Sequence, residues 1–152
     1  MSGTGSLRVG FEFLNQEAPS LVWVSNPTWA NHHNIINRSG LQFKQYPYYD
    51  PATKRAQIDN YLKCLNEAQS GNIILMHAAA HNPTGVDPTS DDWKKIAEVM
   101  KKRNLVPYFD SAYQGFASGD IIKDAWPIRY FAEQGFTMLV SQSYAKNMGM
   151  YG

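Results

Sequence analysis

The chain has 152 residues, 43% of them hydrophobic and 18% charged, with a formal net charge of +1. That length favours a single domain with one core, and the balanced charge, with no block of one sign, excludes a nucleic-acid stripe, a polybasic membrane patch and an acidic tail. No apolar run approaches the ~20 residues of a membrane span, and the lone cysteine, Cys64, leaves no internal disulfide and fits a reducing compartment.

Short β-rich runs alternate with segments of helical period, the pattern of an α/β domain. The opening MSGTGSLRVG reads as neither a signal peptide nor a transit segment, and a helix is expected over about residues 4–15. Strand LVWVS (21–25), a helix at about 29–38 and strand LQFKQYP (41–47) follow. Ile58, Tyr61, Leu62 and Leu65 fall at i, i+3, i+4 and i+7 and predict a helix over 57–68, with Cys64 as a small core residue. Next comes NIILMHA (72–78), a nearly continuous apolar run suited to a parallel strand covered on both faces. Trp93, Ile96, Ala97 and Met100 mark a helix over 89–103, capped from DPTSDDW and closed by Lys101, Lys102 and Arg103, which suit the helix dipole. Strand LVPYF (105–109), a helix at about 126–134 and strand TMLVSQS (137–143) complete the order.

Ligands of open α/β sheets bind at the carboxyl ends of the strands. There the sequence places Asp110 and SAYQGF after LVPYF, AAHNPTG after NIILMHA and YAKN after TMLVSQS, while SGTG opens the first helix. A phosphorylated aromatic aldehyde needs an amine to form a Schiff base and an acid facing its ring nitrogen. It also needs donors to its phenolate oxygen and a helix N-terminus for its phosphate. Each kind of group is present at this rim.

The stretches SGTGSLR, NPTWANHH, HAAAHNPTGVDPT, FDSAYQGFASGD, KDAWPIRYF and SQSYAKNMG, in this order, resemble the eukaryotic-type aspartate aminotransferase family, fold type I pyridoxal 5'-phosphate (PLP) enzymes. The resemblance implies the large domain of that fold, a mostly parallel sheet with helices on both faces, incomplete here over 1–152 and without the small domain. It implies that Lys146 forms the Schiff base and moves the proton, that Asp110 pairs with the pyridinium nitrogen, and that Tyr113 and Asn82 donate to the phenolate oxygen. Ser2, Gly3, Thr4 and Ser143 match phosphate contacts, Trp29 the indole that stacks on the ring, and Trp29 and Asn82 border the substrate; His32 resembles a partner of the Asp110 position. The implied reaction moves the amino group between L-aspartate and 2-oxoglutarate, giving oxaloacetate and L-glutamate. Amino acids and 2-oxoacids are the partners, in a homodimer, in the mitochondrial matrix or cytoplasm.

Plainer readings stand beside these. From position alone Lys146 is a solvated lysine, Asp110 a cap, SGTG a flexible start, and Trp29 and Tyr113 core or interface aromatics. His77 and His81 have the spacing of a helical zinc pair, but the segment leaves a strand and runs into a proline, so no metal site is expected. Full-length members of the family are longer, and the arginines that clamp substrate carboxylates and phosphate have no counterpart here. The chain is therefore expected to be a fragment or short isoform with little activity alone. A non-catalytic interaction protein and an aromatic aminotransferase are the alternatives.

Overall fold

A computed structural model describes residues 2–151. In chain order it runs α1 (Gly3–Glu17), β1 (Val22–Asn26), α2 (Asn31–Arg38), β2 (Phe43–Pro47), β3 (Tyr49–Asp50), β4 (Arg55–Ala56) and α3 (Ile58–Glu67). It continues with β5 (Ile73–His77), α4 (Ser90–Arg103), β6 (Val106–Ser111), α5 (Ile121–Asp124), α6 (Trp126–Glu133) and β7 (Leu139–Gln142). Every element expected from the sequence forms.

The differences are local and have physical causes. The β3–β4 hairpin escapes a periodicity reading because its strands are two residues long; it forms around Asp50, whose carboxylate accepts from Ala52 N–H and Thr53 Oγ1. The short α5 is nucleated by Asp120, which accepts from Ile122 N–H and Lys123 N–H. Strand β6 runs on to Ser111 because Asp110 and Ser111 pair in register with Ser141 and Gln142 of β7, so Asp110 lies within the strand. Cys64 is half-buried at the margin of the core, and burial there pushes its thiol pKa up.

The five-stranded sheet has the order β2-β1-β5-β6-β7, and all of its pairs are parallel. Strand order reverses between β1 and β5, which opens a crevice at their carboxyl ends. The five residues of β5 are all buried, as expected of a central strand covered on both faces.

Period-2 alternation then sorts the sheet into two faces. Val22, Val24, Ile73, Leu75 and Tyr108 pack under Leu7, Phe11 and Leu14 of α1 and Ile35 and Ile36 of α2. Trp23, Ile74, Met76 and Phe109 face Tyr61 and Leu65 of α3, Trp93, Ile96 and Met100 of α4, and Phe131 of α6. Each fully buried large apolar side chain of this kind contributes about 1.5–3 kcal/mol. Because His77, Asp110 and Ser141 continue the rows of the first face and are paired in register, they lie side by side under α1 and α2.

Helix α4 shows how closely local sequence can fix an element. Thr89 Oγ1 accepts from Asp92 N–H while the Asp92 carboxylate accepts from Thr89 N–H, a reciprocal cap. Its apolar stripe, Trp93, Ile96, Ala97 and Met100, is wholly buried. Asn104, with φ of 54°, ends it in the left-handed conformation that asparagine tolerates.

Candidate active site

One cavity with an empty volume of about 670 Å³, open to solvent, lies at the carboxyl ends of the strands. Lys146, Asp110, Tyr113 and Asn82 line it. So do Trp29, Ser143 and the helix start Ser2, Gly3 and Thr4; of the residues singled out from the sequence for this site, His32 alone stands outside the lining, behind Asp110. Among the described residues no arginine lines it, and Lys146 is its one lysine.

The chain reaches this point from five directions. Trp29 sits in the turn between β1 and α2, Asn82 in the loop after β5, Asp110 near the end of β6 and Tyr113 just beyond it. Ser143 and Lys146 follow β7, and the N-terminus of α1 lines the cavity beside Ser143. Ser143 N–H donates to the Ser111 carbonyl at 3.0 Å and so carries the parallel pairing one step past β7.

At the start of α1 no side chain caps the helix and its first turn holds no acidic residue. Its first backbone N–H groups therefore remain available, at the positive end of the dipole. Ser2 Oγ lies 3.2 Å from Ser143 Oγ, and a Cβ built on Gly3 would stand 3.1 Å from Ser143 Cβ. The absence of a side chain at Gly3 keeps this cradle open.

Lys146 is exposed, and its Nζ stands 4.1 Å from the centre of the Tyr113 ring, within cation–π range. Tyr113 Oη in turn lies 3.5 Å from Asn82 Nδ2. Asn147 Nδ2 donates to the Gln114 carbonyl at 3.3 Å, and Gln142 Nε2 to Gln114 Oε1 at 3.1 Å, which ties the lysine loop to the Tyr113 loop.

Asp110 is 8% exposed, and His32 Nε2 meets its Oδ2 at 2.9 Å. The partners behind it have a defined order. Asn82 N–H, which can only donate, points at His77 Nδ1 at 3.2 Å, so His77 carries its proton on Nε2. That N–H donates to Thr28 Oγ1 at 3.2 Å, the Thr28 hydroxyl donates to His32 Nδ1 at 2.8 Å, and His32 Nε2–H donates to Asp110. Burial holds the His77 pKa well below its usual value, with His81 and His32 adding to the effect, which keeps His77 neutral as this order requires. Trp29 stands edge-on to His32, with ring centres 5.2 Å apart.

Sequence reasoning reached His32 but missed Thr28 and the part played by His77, which it weighed only as a metal ligand. The pairing of His77 with Asp110 across β5 and β6 would have been the signal, and strand order is needed to see it. His81 is buried too, with Nε2 2.9 Å from Ser25 Oγ and Nδ1 2.8 Å from Thr84 Oγ1. Both rings are thus taken up by hydrogen bonds.

Residues 1–152 match the family described as aminotransferase class I and II. The chain is 53% identical to mitochondrial aspartate aminotransferase of Gallus gallus, over 100% of its own length and 36% of that protein. Other curated relatives are named cytoplasmic. Among solved structures, an aspartate aminotransferase from Trypanosoma cruzi superposes with a TM-score of 0.97 at 49% identity, covering 99% of this chain and 39% of that one. An aromatic-amino-acid aminotransferase from Burkholderia pseudomallei, covalently bound to pyridoxal phosphate, superposes with a TM-score of 0.96 at 40% identity, covering 100% and 38%. The chain thus spans little more than a third of the proteins it matches, and over that span it has the fold of the type I PLP aminotransferases. With its whole length matched and this fold in place, the chain belongs to the aminotransferase class I and II family.

Proposed function

We propose that the chain is the PLP-binding core of an aspartate aminotransferase, part of the large domain of such an enzyme. The observation that carries this is the convergence of Lys146, Asp110, Tyr113, Asn82 and the open start of α1 on one cavity. These groups fit PLP by their chemistry: an amine for its aldehyde, a carboxylate for its ring nitrogen, two donors for its phenolate oxygen, and backbone N–H groups with Ser2 and Ser143 for its phosphate. When bound, PLP supplies the aldehyde for exchange of amines and a protonated ring that accepts the electron pair left when the substrate Cα–H bond is broken.

The chain's own residues supply the rest. Lys146 Nζ would hold the cofactor covalently and, once displaced by the substrate amine, take the proton from Cα as a general base. Asp110 would face the ring nitrogen, held in orientation by His32 Nε2–H. Asn82 and Tyr113 would donate to the phenolate oxygen, and Trp29 would cover the ring and border the substrate. Gly3 and Thr4 would present backbone N–H groups to the phosphate, where a larger residue at Gly3 would crowd Ser143.

The reaction we propose moves the amino group between L-aspartate and 2-oxoglutarate, giving oxaloacetate and L-glutamate, within a homodimer. The identity of 53% to an aspartate aminotransferase supports aspartate as substrate. The likeness to an aromatic-amino-acid enzyme favours a second reading, aromatic amino acids, and parallel assays with aspartate and phenylalanine separate the two. For compartment we propose the mitochondrial matrix ahead of the cytoplasm, on the SYAKNMG stretch, to be checked by fractionation.

Mixing the chain with PLP is expected to give a visible or near-ultraviolet Schiff-base band. Borohydride should fix the label on Lys146, and Lys146→Ala should lose it. Labelling spread over the surface lysines, with Lys146 unmarked, would remove the basis of the proposal.

A further inference from the structure

Three non-glycine residues among those described have positive φ. Asn104 ends α4, Lys54 turns the exposed β3–β4 hairpin, and Ala80, with φ of 51°, lies in the loop after β5 two residues before Asn82. An L-residue with a Cβ and no polar side chain has no intrinsic reason to adopt this conformation. Something outside Ala80 must hold it there.

Asp87 is placed to do so. Its Oδ2 accepts from Ala80 N–H at 2.7 Å and its Oδ1 from His81 N–H at 2.9 Å, so one carboxylate grips two successive backbone donors across the loop. The loop is closed further by Gly85 N–H donating to the His81 carbonyl at 2.7 Å and by Tyr48 Oη donating to the Val86 carbonyl at 2.6 Å. Beyond the grip, Asn82 N–H meets His77 Nδ1 and the Asn82 side chain approaches Tyr113 Oη.

We propose that Asp87 is a positioning residue for the site: by pinning the left-handed turn at Ala80 it aims Asn82, and through the Asn82 N–H it fixes the His77 tautomer. The donor order His77, Thr28, His32, Asp110 starts from that bond. An asparagine at position 87 would keep one acceptor and set an N–H group against the second backbone donor. A glycine at position 80 would adopt the turn without being held. The two positions are therefore coupled, and a role of Asp87 confined to the general stability of the loop would show no such coupling.

The test compares the 152-residue chain with Asp87→Asn, Ala80→Gly and the double variant. The readouts are amide exchange at Asn82, whose acceptor is His77 and not Asp87, and the imidazole nitrogen signals of His77. Exchange at Asn82 is expected to rise roughly tenfold or more in Asp87→Asn, with the His77 nitrogens losing their acceptor and donor signature, and to return to within about threefold of the original in the double variant. Unchanged exchange in Asp87→Asn overturns the proposal, and so does a rise that Ala80→Gly fails to suppress. If Asp87→Asn does not fold, Ala80→Val, which burdens the same turn with Asp87 intact, is expected to raise exchange at Asn82; protection equal to the original chain would overturn the proposal.

A second arm rests on the PLP reading. PLP affinity is expected to weaken about tenfold in Asp87→Asn and to recover in the double variant, whereas equal affinity overturns the positioning role. If the original chain binds no PLP, the cofactor reading fails while the exchange measurements still decide the role of Asp87.

Discussion

Burial makes His77 and His81 sensitive to acid. The His81 pKa is lowered to about 4, chiefly by burial and further by His32, and His77 is held well below its usual value for the same main reason. In the unfolded chain both titrate near the ordinary histidine value of about 6.5. Below that value the unfolded state binds protons that the folded state refuses, so the stability is fully present above about pH 6.5 and is lost as pH falls towards 4. The loss from His81 alone is on the order of 3 kcal/mol, and His77 adds in the same direction. Urea midpoints across this range should fall steadily, and His81→Gln should start lower at neutral pH but show a shallower slope. An unchanged slope in that variant would place the acid sensitivity elsewhere. At this scale the sequence already singled out Lys146, Asp110, Asn82 and Tyr113, because strand ends are where such groups gather. It had no means of showing Thr28 as the link between two imidazoles, since a threonine hydroxyl carries no signature until its neighbours are placed.

Helix α1 lies on β6 and β7 and depends on Gly10 for its closeness. A Cβ at Gly10 would stand 1.9 Å from Tyr108 Oη and 2.7 Å from Tyr108 Cζ, distances at which something must move. Tyr108 is buried in the core, and its hydroxyl lies 2.8 Å from Ser141 Oγ, so the ring has little room to give. In an ordinary exposed helix Gly→Ala gains about 1 kcal/mol; here Gly10→Ala is expected to cost about 1–3 kcal/mol through overpacking. Denaturant unfolding measures it, and adding Tyr108→Phe should restore part of the loss by removing the atom at 1.9 Å. A stability gain in Gly10→Ala would refute the close approach. The sequence predicted the helix but gave this glycine no role, because the partner that forbids a side chain is 98 residues away in the chain. Helix α4 is the opposite case: its cap, stripe and terminal charges are all local, and all were legible.

For the molecule as a whole, the buried faces of the sheet are matched by apolar side chains left in solvent. Val9 and Phe13 lie one helical turn apart on α1 and are each 54% exposed, and Ile121 and Ile122 are more exposed still. Val9→Lys with Phe13→Glu is expected to lower self-association in sedimentation and dye binding to exposed apolar surface, while leaving stability within about 0.5 kcal/mol. A loss of several kcal/mol would mean that these side chains are part of the core. The sequence by itself determined the succession of strands and helices, the faces they bury and the kinds of chemical group at the strand ends, because periodicity, capping and residue type are local properties of the chain. Tertiary structure alone decided the strand order β2-β1-β5-β6-β7, the crevice it opens, and the distances that join His77, Thr28, His32 and Asp110. Those depend on which strands lie side by side, and that is settled by packing between residues far apart in the chain.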